Sequence, residues 1–242
     1  MLIIGSLYWD SAPPRPRWRA ERLDCMHREH VRVPIRYGRR STKRGDTYTM
    51  VISPQLGAYE YGTAIAVPYW TRNLIEEAEK LWAAEDNRGR RPEGRISTDL
   101  GCVALLENPD HRLPDRMREE WKERIVREEG YHGSVRMNGE ERDVVDPRSG
   151  LLAIDWPRTV TGSRLEWSAL LATVTRPRGP EGSPRRYPLP EEIADAWGNA
   201  EDSEPDSGRT ADYFWKNREH GITTHQDPEI EALLRKLGVT TQ

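Results

Sequence analysis

Four segments with strand character precede the first long helix-period segment, and that order limits the fold more than any single motif. Met1 to Ile4 is a short apolar run broken by Gly5-Ser6. His30 to Tyr37 (HVRVPIRY) alternates apolar and polar residues, and Pro34 demotes it to an edge strand or a bulge. Thr47 to Ile52 (TYTMVI) alternates and is β-branched, and it stops at Ser53-Pro54. Tyr61 to Tyr69 (YGTAIAVPY) is the fourth, and the helical segment Thr71 to Asn87 follows it directly. This is an α+β order, without the regular βαβ alternation of a doubly wound sheet. Two hairpin-like pairs ahead of the helix favour a small mixed or antiparallel barrel-like sheet with a few helices.

Further along, Leu100 to Leu106 (LGCVALL) reads as a buried strand, and Leu151 to Trp156 and Leu165 to Thr175 as two more. Pro114 to Glu129 predicts a charged helix with Met117, Trp121 and Ile125 as a narrow apolar seam. Asn138-Gly139 predicts a hairpin turn. Ser11 to Arg17 reads as a Pro-rich surface loop, Arg19 to Met26 as irregular, and Gly38 to Asp46 as a basic loop. Glu191 to Trp197 predicts a short helix, and Asn199 to Thr210 has a disordered composition. The aromatic cluster Tyr213, Phe214, Trp215 is expected to dock on the core. Pro228 to Leu237 predicts a terminal helix with Ile230, Leu233, Leu234 and Leu237 on one face. The expected layout is one α+β domain over 1–175 with a helical insertion at 111–130. Residues 176–242 form a loop-rich C-terminal extension whose short helices dock on it.

The segment 71–87 carries a carboxylate in an unexpected place. At about 100° per residue from Leu74, Ala78 falls near 40°, Leu81 near −20° and Trp82 near 80°, with Glu85 near 20° in the middle of that stripe. Glu76, Glu77 and Glu79 lie off its centre, where a solvated face would put them. A carboxylate entering an apolar site loses hydration, so its proton affinity rises unless a charge or hydrogen bonds compensate. Glu85 is therefore a candidate general base. Alternatively, the helix frays by Glu85 and the side chain reaches water.

Composition narrows the function classes. Of the 242 residues, 32% are charged and mean hydropathy is −0.85. No run approaches the roughly 20 apolar residues that span a bilayer, so no membrane association is expected. The opening MLIIGSLYWD lacks a basic n-region and does not read as a signal peptide. Two cysteines, Cys25 and Cys102, make neither a disulfide framework nor a paired metal motif, and cytoplasmic residence is expected. A net charge of −3 argues against a general nucleic-acid surface.

The order of these parts resembles the gamma-glutamylcyclotransferase-like superfamily. Ile4-Gly5-Ser6-Leu7 stands for its Tyr-Gly-Ser loop after the first strand, and Tyr48 to Pro54 for its second element. Gly62 to Val67 matches the third, and Leu81-Trp82-Ala83-Ala84-Glu85 the segment ending in a catalytic Glu. The resemblance covers roughly residues 1–110. Ile4 stands where the family usually has Tyr, and Leu7 replaces a common Asn. It implies that the α-amine of a gamma-glutamyl amide attacks its own γ-carbonyl, releasing 5-oxoproline and an amine. Glu85 would be the base. Backbone N–H groups of Gly5, Ser6 and Leu7 would form the cradle, and Tyr8, Arg36 and Tyr37 would line the site. The implied partner is a small gamma-glutamyl substrate, without metal or organic cofactor. A homodimer is left open, as is a non-catalytic binding role for the same fold.

Other constellations carry less. His27 and His30 at i,i+3 lack a third ligand, and His220, His225 and Asp227 read as a polar loop. Cys102, inside LGCVALL, reads as a buried structural thiol. Ser6 lacks the Gly-x-Ser-x-Gly turn of a hydrolase nucleophile. Arg36, Arg39, Arg40, Lys43 and Arg44 could bind phosphate or RNA or form a solvated basic loop, and a nucleic-acid-associated role would use the whole basic stretch 15–44 with Trp9 and Trp18 as stacking platforms.

Overall fold

The computed structural model describes residues 1–42, 47–70, 73–85, 94–128, 131–133, 135–137, 140–180, 185–198 and 212–239. The predicted turn at Asn138-Gly139 and the segment 199–210 lie outside the described residues.

β1 (Leu2–Ile3) runs into a 3-10 turn at Ser6–Tyr8, and α1 (Arg15–Arg22) follows. This helix replaces the loop and irregular stretch expected from the prolines. Proline fits the first turn of a helix because its missing N–H would have no partner there anyway, and Pro16 sits in that turn. Trp18 is buried one turn on and anchors the helix.

Pro34 then divides the predicted 30–37 strand. β2 (Glu29–Val33) belongs to the main sheet, and β3 (Ile35–Ser41) peels away to pair with β4 (Thr47–Ile52) as a two-stranded ribbon. A residue with no N–H cannot continue a ladder, so the chain changes partners there. The ribbon is irregular between Tyr37 and Arg39. Gly38 sits at this bulge, where an added Cβ would lie 2.5 Å from Val51 Cγ2 and 2.8 Å from the Tyr187 ring. Only a glycine fits without displacement.

β5 (Gly62–Ala66) leads to α2 (Leu74–Glu85), β6 (Ser97–Thr98), β7 (Gly101–Glu107) and α3 (Asp115–Arg127). β8 (Arg158–Thr159), β9 (Ala169–Thr175), α4 (Pro190–Gly198), α5 (Asp212–Glu219) and α6 (Asp227–Lys236) complete the described elements. The predicted strand at 151–156 is absent: Leu151 and Leu152 make only isolated bridges, to Leu105 and Val145. The main sheet has the order β6-β7-β9-β1-β5-β2-β8. β1 and β9 run parallel, and the other neighbours are antiparallel. The molecule is thus mixed α+β. The barrel-like expectation is not met: among the described residues the sheet stays open, with β6 and β8 as its edges.

One apolar cluster joins the sheet, the ribbon and the helices, including Ile193, Phe214, Ile230 and Leu234 from the last three helices. Each fully buried apolar side chain of this kind contributes about 1.5–3 kcal/mol. Of the face predicted for α6, Ile230 and Leu234 are buried, whereas Leu237 is half exposed. Trp121 and Ile125 of the predicted α3 seam are buried, and Met117 is partly so. No helix among the described residues is long and apolar enough to cross a membrane.

α2 packs against α1 and α3 as well as against β7 and β9. This wrapping corrects the expected solvated face. Glu77 is fully buried, with Arg22 Nη1 at 3.1 Å, and Glu79 faces Arg124 at 3.4 Å. The simple stripe underestimates the buried arc because a helix covered on three sides has little left for water.

Candidate functional site

The site forms where β1 and β9 end. These two strands are adjacent and parallel, with Leu2 opposite Ala172. Both therefore leave the sheet at the same end, β1 into the Gly5–Leu7 turn and β9 into Arg176–Arg178. Between them and the ribbon lies a cavity of about 1060 Å³.

Glu85, Gly5, Ser6, Leu7 and Tyr37 all line this cavity. Glu85 is the last residue of α2 and is half-buried, facing the cavity instead of sitting inside the core. The helix does not fray before reaching it. Gly5 has φ −178°, extended backbone open to any residue, and an added Cβ would meet nothing within 4 Å. Its bare α-carbon faces open space.

The other two predicted lining residues point elsewhere. The Arg36 guanidinium stacks over the Tyr187 ring at 4.2 Å. It is a neighbour of Tyr37 on one strand, and successive side chains on a strand take opposite faces. Tyr8 packs edge-to-face on His220, with ring centroids 5.5 Å apart, and partial burial raises its phenol above the usual range.

Two arginines of α1, not anticipated from the sequence, hold the turn in place. Arg15 is buried and forms an ion pair with Asp10, itself buried. The same guanidinium donates to Ser6 Oγ at 3.3 Å and, through Nε, to the Ala84 carbonyl at 3.2 Å. Arg19 donates to the backbone carbonyls of Leu7 at 2.8 Å and Asp10 at 2.9 Å. Charge-assisted bonds of this kind are roughly twice as strong as neutral ones. Arg15 therefore ties the turn to the end of α2, one residue before Glu85. A signal for this exists in the sequence: Arg15, Trp18, Arg19 and Arg22 recur at helical spacing, and Trp18 marks the buried side.

Of the predicted stacking platforms, Trp18 is buried, and Trp9 donates to Asn217 Oδ1 at 2.8 Å while packing on Tyr213. Neither offers a free face for bases. Arg39 and Arg40 of the basic stretch line the cavity, and Lys43 and Arg44 lie outside the described residues. His30 Nε2 bonds the His220 carbonyl at 2.9 Å, and His27 pairs with Asp24 at the surface. Cys102 is buried, and burial pushes its thiol up to about 12. No group of three or more His, Cys, Asp or Glu among the described residues could hold a metal ion.

No family model matches the chain, and neither a curated protein nor a solved structure matches it.

Proposed function

We propose that the chain is a gamma-glutamylcyclotransferase-like enzyme, with the corresponding fold in its N-terminal part. A single observation supports this reading. Glu85 and the Gly5–Leu7 turn, far apart in sequence, line one cavity and are joined through Arg15. In this reading the turn holds the glutamyl end of the substrate, and Glu85 meets its α-amine.

The reaction balances within the substrate and one carboxylate. Glu85 takes a proton from the α-ammonium, and the freed nitrogen lone pair attacks the γ-carbonyl carbon. The new C–N bond closes the five-membered ring as the old amide C–N bond breaks. The proton on Glu85 passes to the departing amine, and the freed carboxylate takes the second proton from the ring nitrogen, which leaves the neutral lactam, and releases it to the amine or to water. Holding the substrate folded for ring closure is a proximity effect worth several kcal/mol. Backbone N–H groups of the turn stabilise charge on the carboxylate or the carbonyl oxygen.

A panel of gamma-glutamyl dipeptides and amides, incubated with the protein and followed by mass spectrometry, tests this. The expected products are 5-oxoproline and the free amine in equal amounts. Release of glutamate instead would point to hydrolysis and overturn the proposal.

A further inference from the structure

We propose that Asn217 of α5 donates a hydrogen bond to the γ-carbonyl oxygen of the substrate and stabilises the negative charge that gathers there as the ring closes. This inference rests on the cyclotransferase reading for the reaction, and it brings a helix of the C-terminal region into the site.

Chemistry fixes which way the Asn217 amide is turned. An indole N–H can only donate, and Trp9 Nε1 lies 2.8 Å from Asn217 Oδ1. The oxygen is therefore the prong on Trp9, and the amino group is the other. Asn217 is only 6% exposed and lines the cavity. Among the described residues its Nδ2 has no acceptor. A buried donor without a partner costs free energy, and the cavity is where a partner enters.

The surrounding backbone holds this group in place. The Asn217 carbonyl accepts from the Ile222 N–H at 2.8 Å. Thr63 of β5 and Thr223 exchange two backbone hydrogen bonds, at 2.8 and 3.0 Å, just beyond the end of α5. His30 of β2 adds its bond to the His220 carbonyl, and Phe214, three residues before Asn217, is fully buried. On the other side, Trp9 directly follows the Ser6–Tyr8 turn and packs on Tyr213, with ring centroids 4.9 Å apart. The indole thus ties the amide to the turn.

A gamma-glutamyl group brings three polar ends into the cavity. In the cyclotransferase reading its α-ammonium meets Glu85 and its α-carboxylate meets the N–H groups of the turn. The γ-carbonyl oxygen remains, and it needs a donor already aimed. Arg15, Arg39 and Arg40 have partners of their own, and Arg176 and Arg178 are exposed at the mouth. The hydroxyls of Thr173 and Thr175 also line the cavity, but a hydroxyl rotates and accepts as readily as it donates. The indole nitrogens of Trp82 and Trp197 lack partners but are closed off from water. The Asn217 amide is held in one orientation by Trp9, so it costs no reorganisation at the moment of reaction.

Release of 5-oxoproline from gamma-glutamylalanine and gamma-glutamylethylamide is followed at pH 8 for the wild type, Asn217→Asp and Trp9→Phe. Asn217→Asp keeps an oxygen for the Trp9 indole and replaces only the donating prong. Loss of such a donor is expected to lower kcat by about 10²–10³-fold. Trp9 lies outside the cavity lining, so Trp9→Phe leaves the amide present but free to turn. Its kcat should fall severalfold at unchanged KM, and this variant carries the test should Asn217→Asp fail to fold. Wild-type kcat in both variants overturns the Asn217 assignment and leaves the cyclotransferase reading standing. A loss confined to KM in both means that the amide binds substrate and transition state alike, and it overturns the assignment to the carbonyl oxygen. No release of 5-oxoproline by the wild type removes the cyclotransferase reading and the assignment with it.

Discussion

Arg15 Nε donates to the Ala84 carbonyl at 3.2 Å, so a residue of the first helix holds the end of the helix that carries Glu85. The same guanidinium reaches Ser6 and Asp10. Turn and candidate base are thereby placed by one side chain. Removing one partner of a buried ion pair leaves the other charge uncompensated, at a cost of about 3–5 kcal/mol. Arg15→Ala is expected to lower the unfolding free energy by that order, read from urea denaturation. Arg15→Lys keeps the charge but not the fork, and is expected to recover stability only partly. Full stability in both variants would show that the bridge does little.

Two glycines separate space from strain. Gly5→Ala adds a methyl where nothing stands within 4 Å, on extended backbone. Stability should stay within about 0.5 kcal/mol of the wild type, while binding of a gamma-glutamyl ligand weakens because the methyl enters the cavity. Gly38→Ala meets Val51 and Tyr187 at once. Overpacking of this kind costs about 1–3 kcal/mol, and thermal melting should show the loss. The two outcomes exchanged would contradict the placement of both residues.

Asp227 makes stability depend on pH. Burial raises its carboxyl from the ordinary 3.8 to about 6, against hydrogen bonds from the Thr224 N–H and Oγ and the charge of Arg218. The folded state holds this proton more tightly than the unfolded chain. Its contribution is therefore complete below about pH 4 and is lost as pH rises through about 6. A proton held that much more tightly is worth roughly 3 kcal/mol. Burial lowers His220 and His225, which favours folding in the opposite direction as pH rises toward 6.5. The difference between wild type and Asp227→Asn isolates the Asp227 part. It should change by that order between pH 4 and 6, followed by denaturation at a series of pH values. A flat difference would mean that water reaches the carboxyl.

Most of the local structure is legible in the sequence because it rests on local patterns. The alternation of 47–52 and the apolar run at 100–106 are strands, and the three-to-four spacing in 74–85 is a helix. Three departures share one physical origin, namely that a neighbour decides what a pattern does. By pattern alone Pro34 is a weak point in one strand, whereas in the fold it hands the chain from the sheet to the ribbon. The apolar stripe of α2 sends Glu77 to solvent because it counts only one buried side, but α1 and α3 cover two more. Residues 151–156 have strand composition but pair only at Leu151 and Leu152, through isolated bridges to Leu105 and Val145. At the candidate site, helical spacing draws notice to Glu85, and the Gly-Ser turn after the first strand to Gly5. Asp10 gives no such sign, because its role is a contact between segments, and Arg15 shows only in the helical spacing of Arg15, Trp18, Arg19 and Arg22, which the neighbouring prolines mask.

The rate of 5-oxoproline release by Glu85→Gln, compared with the wild type on one gamma-glutamyl amide, tests the central claim most directly. Glutamine keeps the shape and removes the base, and a positioned general base contributes about 10²–10⁴-fold. The account predicts a loss of that size in kcat, with substrate binding and melting temperature little changed because Glu85 is a half-buried helix terminus. A variant that releases 5-oxoproline at the wild-type rate would contradict it.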